Sequence, residues 1–280
     1  MAYTTDLTLP QFEVLDELLP KSKTRGCDVS RHLIINGILY QLKNGCQWRD
    51  LPTDFPKWQT VYSQFRRWRI NGTWEKVLTA LEKMERGKQK KIEYPSLLLG
   101  DSMCAKNTDT ANIETKGYCH YKSTNGIKRH LLVDVLGNPY FIKCTTAKIS
   151  DDEGLLEIIR ENKEYFLNLP TGHKITILLD NGYHKEYLEA EIENIEPELR
   201  SRIKIELSAK ITPAQKAVSK QENPAKQGFV VIAKRWIVER TNAWINQCRV
   251  LWKNCEGLLV TSETKIRICA IRLILRRIAG

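Results

Sequence analysis

The sequence predicts an α/β fold: a mixed sheet with helices packed on its faces, preceded by a small all-α module. Three observations predict it. Up to about residue 86 the apolar residues recur at helical spacing. Beyond Pro95, short apolar runs appear, bounded by Gly, Pro, Asn or Asp. Those runs then follow the order strand, hairpin, helix, strand, helix, strand, helix, which suits a sheet covered on its faces.

Taken in order, Phe12, Leu15 and Leu18-Leu19 form one apolar helix face. Leu33-Ile34, Gly37-Ile38 and Gln41-Leu42 form a second, ended by Asn44-Gly45. After the turn-rich Arg49-Asp50-Leu51-Pro52, a third helix carries Trp58, Val61-Tyr62, Phe65 and Trp68, with Arg66, Arg67 and Arg69 on its other face. A fourth follows Gly72, with Trp74, Val77-Leu78 and Leu81. These make a domain of helix-turn-helix size over residues 1–86. The polar stretch from Arg86 to Lys91 opens an expected linker, 87–95.

Residues 96–280 hold the predicted sheet. Strands are expected at 96–100, 130–134 and 140–143, the last two around the turn Gly137-Asn138-Pro139. Residues 151–169 read as a helix, with Asp151-Asp152-Glu153 suited to its N-terminus. Residues 175–179 read as a buried strand and 203–207 as a weaker one. From Ala233 the chain is expected to be helical, closing with a helix capped by Ser262 that bears Ile266, Cys269 and Leu273 on one face.

Composition narrows the function classes. The chain is 42% hydrophobic with interspersed charge, as globular proteins are. No apolar run reaches the ~18 residues of a membrane span, and the first residues lack a signal-peptide pattern; a cytoplasmic protein is expected. Eight cysteines stand apart with no Cys-x-x-Cys pair, which disfavours zinc and disulfides. A net charge of +11 favours acidic partners such as nucleic acid.

Within this basic chain three acids stand out. Asp101 and Asp180 each end an apolar run, at the strand ends where open sheets gather their sites. Glu239 lies in a helical segment with Arg235, Asn242 and Asn246 on its side and Ile237, Trp244, Cys248 and Leu251 on the other. The polar side also carries Arg249 and Lys253, which suits a surface facing DNA, with both as candidate DNA contacts. Carboxylates on rigid elements can clamp two divalent ions that activate and stabilise phosphodiester oxygens. Taken singly, each has a plainer reading: Asp101 and Asp180-Asn181-Gly182 as turn residues, Glu239 as a surface ion-pair partner.

These residues carry a resemblance. The block running from Asn36-Gly37-Ile38 through Gly45-Cys46-Gln47-Trp48-Arg49-Asp50-Leu51-Pro52 to Phe65-Arg66-Arg67-Trp68 resembles the N-terminal module of DDE transposases of the insertion-sequence-5 family. Asp101-Ser102, Lys128-Arg129-His130-Leu131-Leu132-Val133-Asp134, Asp180-Asn181-Gly182-Tyr183 and Arg235-Trp236-Ile237-Val238-Glu239-Arg240-Thr241 resemble that family's catalytic segments. The glutamate signature of the wider superfamily is met at Arg235 and Glu239, while Ile232 stands in place of its tyrosine and Asn246 of its lysine.

The resemblance implies an RNase H-like catalytic domain over 96–280. It implies two Mg²⁺ ions, replaceable by Mn²⁺, held by Asp101, Asp180 and Glu239. It further implies cleavage at terminal inverted repeats, strand transfer into target DNA, a homodimer on double-stranded DNA, and a bacterial, nucleoid-associated protein. Lys128 and Arg235 would bind phosphates or act as ion-pair partners, and Arg66, Arg67 and Arg69 would contact the repeats. The rivals are a metal-dependent nuclease without strand transfer and an inactive, transposase-derived DNA-binding protein.

Overall fold

A computed structural model describes residues 3–21, 29–208 and 234–280. Cys27, Ile232 and Ala233 lie outside the described residues. Four helices come first: α1 (Leu9–Leu18), α2 (Arg31–Asn44), α3 (Trp58–Ile70) and α4 (Thr73–Lys88). Thr8 and Gln11 cap α1 reciprocally, each side chain meeting the other's backbone N–H. Gly45 ends α2 in the left-handed conformation, φ 71°, a region open to glycine at little cost.

The sheet follows. Its strands are β1 (Leu97–Lys106), the short β2 (Tyr118–Cys119), β3 (Thr124–Val133), β4 (Pro139–Thr146), β5 (Ile175–Leu179) and β6 (Ile203–Leu207). Across the main sheet the order is β4-β3-β1-β5-β6, with β2 appended to the start of β3. β3 is antiparallel to β1 and β4, whereas β5 runs parallel to β1 and β6. Helices α5 (Asp151–Glu161), α6 (Lys163–Leu167), α7 (Lys185–Ile195) and α8 (Leu199–Arg202) join the strands, and α9 (Trp236–Asn246) and α10 (Leu259–Ile278) complete the fold. This mixed α/β architecture behind an all-helical region is RNase H-like.

Alternation along the strands sends successive side chains to opposite faces. Leu98, Leu132, Ile175, Ile177 and Leu179 join the core beneath α5–α8. Leu99, Leu131 and Val133 join the other, which continues without a break into the N-terminal helices through Val77, Leu81 and Ile274. Helix α10 packs on both α4 and β4.

The structure departs from the sequence reading at several elements, β3 and β4 among them, which run over Thr124–Val133 and Pro139–Thr146. β1 runs on to Lys106 because β3 keeps pairing along its far edge, although the residues there lack an apolar signature. The single helix expected over 151–169 is two, separated at Asn162. Ser262 is buried inside α10, where its hydroxyl donates to Asn254 Oδ1 at 2.7 Å, and so does not cap the helix. Residues 87 and 88 of the expected linker complete α4, and Arg86 beside them is buried against Asp134 at 2.7 Å.

Helix α5 is seated on β3 through a glycine. A Cβ on Gly154 would lie 2.1 Å from Cε1 of His130, a buried imidazole whose Nε2 meets Thr145 Oγ1 at 2.9 Å. Glycine within a helix is ordinarily ~1 kcal/mol worse than alanine. Here the sign reverses: Gly154→Ala is expected to destabilise by ~1–3 kcal/mol, since overpacking outweighs propensity. Urea unfolding of the two proteins measures this, and an alanine variant of higher midpoint would contradict it.

Candidate active site

The parallel pairing of β5 with β1 stops at Leu99, and β5 itself ends at Leu179. Asp101 and Asp180 therefore emerge side by side at the carboxyl edge of β5, although Asp101 lies within β1 and not at its end. The turn after Asp180 is built by its own side chain, whose Oδ1 accepts from the Gly182 N–H at 2.8 Å. One Asp180 oxygen thus serves the turn, and its side chain keeps 45% exposure.

Helix α9 is laid along β1. Arg235 Nη1 donates to the Gly100 carbonyl at 3.0 Å, Asn242 Nδ2 donates to Asp101 Oδ2 at 3.0 Å, and Asn246 Nδ2 meets Met103 Sδ at 3.8 Å. Residues 235, 239, 242 and 246 share one helical face. Glu239, which is exposed, is thereby carried between two residues that touch the surroundings of Asp101. The opposite face buries Ile237, Val238, Thr241 and Ile245. Cys248 and Leu251 are also buried, but they follow the helix, which ends at Asn246. Arg249 and Lys253 consequently leave the polar stripe expected for them and line a separate cleft.

The electrostatics of the cluster follow from its charges. Arg235 Nη2 lies 3.8 Å from Asp101 Oδ1 and 3.9 Å from Asp180 Oδ2, one guanidinium between two carboxylates. Burial raises Asp101 above the ordinary carboxylate range and the negative charges of Asp180 and Glu239 raise it further, against the opposing pull of Arg235 and the Ser102 N–H. Tyr183, buried among Asp151, Asp101, Asp180 and Asp152, is also held well above its usual value, first by burial and then by those charges. Asn242 Oδ1 is buried without a hydrogen-bond partner.

Two aspartates share a single guanidinium, Glu239 adds a further negative charge that Asp101 feels, and the amide oxygen of Asn242 is orphaned beside them, which leaves a deficit of positive charge. Oxygen donors of this kind suit hard divalent cations such as Mg²⁺ or Mn²⁺. Among the described residues, no three His, Cys, Asp or Glu side chains are drawn closely enough to hold a metal as arranged. The Arg235 guanidinium lies between the two aspartates instead.

The other polar residues near the cluster and on α3 divide between those held by a partner and those left exposed. Lys128 is buried and donates to Asp151 Oδ1 at 2.8 Å. Although burial opposes ionisation of Asp151, Lys128 and the Ser102 hydroxyl hold its pKa below the usual value. His184 is fixed by Asp152 through Nδ1 at 2.7 Å and its backbone N–H at 3.0 Å. Arg69 Nη1 donates to Thr261 Oγ1 at 3.0 Å, joining α3 to α10. Arg66 and Arg67 are exposed on α3. Sequence reasoning set Asn242 on the polar stripe without seeing that it would hold Asp101, because periodicity names a face and not what the face meets.

Two family models match the chain. A family model described as "Transposase DDE domain" matches residues 95–274. A second, "Putative transposase of IS4/5 family", matches residues 7–78. No significant match was found among curated proteins or among solved structures.

Proposed function

Since the chain belongs to the transposase DDE domain family, we propose that it is the transposase of an insertion sequence, cutting DNA at terminal inverted repeats and joining the freed ends to target DNA. The observation that supports this most is the placement of Asp101 and Asp180, from β1 and β5, on either side of the Arg235 guanidinium, with Glu239 on the helix whose Asn242 holds Asp101, in a chain of net charge +11.

In this reading Asp101, Asp180 and Glu239 hold two Mg²⁺ ions, which Mn²⁺ replaces. The ions would supply Lewis acidity at the scissile phosphate. The chain's own residues do the positioning. Asn242 fixes one Asp101 oxygen and leaves the other toward the cluster. Gly182 fixes one Asp180 oxygen in the same way. Arg235, tethered to the Gly100 carbonyl, is placed to exchange its carboxylate partners for a DNA phosphate. Lys128 is committed to Asp151 and acts as a positioning residue for Ser102 and β1.

Residues 1–86 read the repeats, with Arg66 and Arg67 as exposed contacts; Arg69 supports them through α10. A homodimer spans the paired DNA ends, and the protein is cytoplasmic and bound to the nucleoid. Among the described residues no helix is long and apolar enough to cross a membrane.

The test incubates purified protein with Mg²⁺, a labelled duplex carrying the gene's own flanking repeat, and a supercoiled plasmid. Wild type and Glu239→Gln are run together. Cleavage at the repeat with label joined to plasmid, both absent in the variant, is the expected result. Cleavage without joining would make the protein a nuclease. Binding alone, by both proteins, would make it a DNA-binding relic.

A further inference from the structure

A cleft of about 860 Å³ opens between the N-terminal helices and the segment that follows α9, a size that ligand pockets commonly have. It lies where Asn107, just past β1, bridges Asn254. Thr108 on its wall is seven residues beyond Asp101, up to roughly 23 Å of extended chain. None of the three carboxylates lines the cleft.

Its lining combines two chemistries. Trp48, Trp58, Tyr62 and Trp252 supply ring surface, with Trp252 61% and Tyr62 38% exposed. Arg49 and Arg249 lie over Trp58 and Trp252, at 5.7 and 5.6 Å from the ring centres, and Lys253 adds a third positive charge. Glu256 is the one acid in the lining, and it is already paired with Lys265 at 2.5 Å. Aromatic area left half-open beside Arg49, Arg249 and Lys253, which form no ion pair among the described residues, calls for a ligand with flat faces and negative charge.

We propose that this cleft binds unpaired nucleotides of DNA, their bases stacked on the tryptophans and guanidinium planes and their phosphates on Arg249 and Lys253. A duplex shows a protein only the edges of its bases. Ring faces such as these are usable only by bases that have left the stack. An acidic peptide would satisfy the cations but not the four rings. The proposal rests on reading the chain as one that handles DNA, and not on the chemistry assigned to the acids.

The experiment measures tryptophan fluorescence in EDTA, so that failure of the catalytic reading cannot affect it. The probes are a four-residue oligothymidylate, an abasic tetramer with the same phosphates, and an oligoglutamate of equal charge. The base-bearing probe is expected to bind at least ~10-fold tighter than the abasic one. Trp252→Ala should abolish most of that preference, and Trp252→Tyr should keep it. Equal binding of the base-bearing and abasic probes, tightest binding by oligoglutamate, or an alanine variant indistinguishable from wild type would each overturn the proposal. Trp252 is exposed enough that its removal spares the core, and a melting curve for each variant confirms folding.

Discussion

Asp101→Asn is expected to lower DNA cleavage by at least ~10³-fold while leaving the melting temperature at neutral pH unchanged or higher. The rate loss follows because the amide supplies no negative charge to the cluster. The stability result follows from the raised pKa of the buried Asp101 carboxyl. A carboxyl that holds its proton more tightly in the fold than in the open chain contributes stability below the unfolded value. That contribution is lost as pH rises through the folded value. At pH 7 the wild type therefore bears the cost of an ionised, crowded Asp101 and the variant does not. The difference in melting temperature should shrink on acidification toward the ordinary aspartate range, where both side chains are neutral. Parallel melting curves and a cleavage assay check both halves. A variant that melts several degrees lower at pH 7 would show that Arg235 gains more from Asp101 than burial and repulsion cost.

The second large effect is expected far from the reacting edge. Arg86 donates through Nη1 to Asp134 at 2.7 Å and through Nε to the Ile92 carbonyl at 2.8 Å, with its side chain 5% exposed and that of Asp134 fully buried. Around them Asn138 and Arg277 both donate to Glu85, at 2.6 and 2.8 Å. Arg86→Met would leave the Asp134 charge buried without its counterion, a loss of ~3–5 kcal/mol. That corresponds to a fall of about 6–20 °C in Tm for a chain of this size. Adding Asp134→Asn should recover part of it by removing the stranded charge. Calorimetry of the single and double variants measures both steps, and a single variant within about 2 °C of wild type, the shift that ~1 kcal/mol produces, would refute the assignment.

Much of this was legible in the sequence, and the exceptions share a cause. The helices bearing Trp68 and Leu81 and the strand ending at Leu179 announced themselves because each must bury a face, and burial leaves a periodic trace. The second half of β1 left none: Ser102–Lys106 is held by backbone bonds to β3, and backbone bonding is blind to side-chain type. The same limit hid the true end of α9, which placed Arg249 and Lys253 in a cleft and not on the stripe with Glu239. The acids themselves were readable as residues but not as a group. Arg235 was weighed equally as phosphate contact and ion-pair partner, and only the fold shows it between two carboxylates. The anchoring of Arg86 was invisible for a different reason: a basic run looks like a solvated tether until its buried acid is found across the sheet.

Helix α10 gives the chain a particular order of assembly. It packs on α4, β4 and α1, so the core of the N-terminal helices is completed by residues more than half the chain downstream. Contacts so distant in sequence are slow to form, because the intervening loop must close before they repay its entropy. During synthesis the first four helices would stand with an open apolar flank until that helix arrives, a stage at which neighbouring nascent chains can aggregate. The helices proposed to read DNA thus reach their finished form only when the part of the chain carrying the acids is already in place.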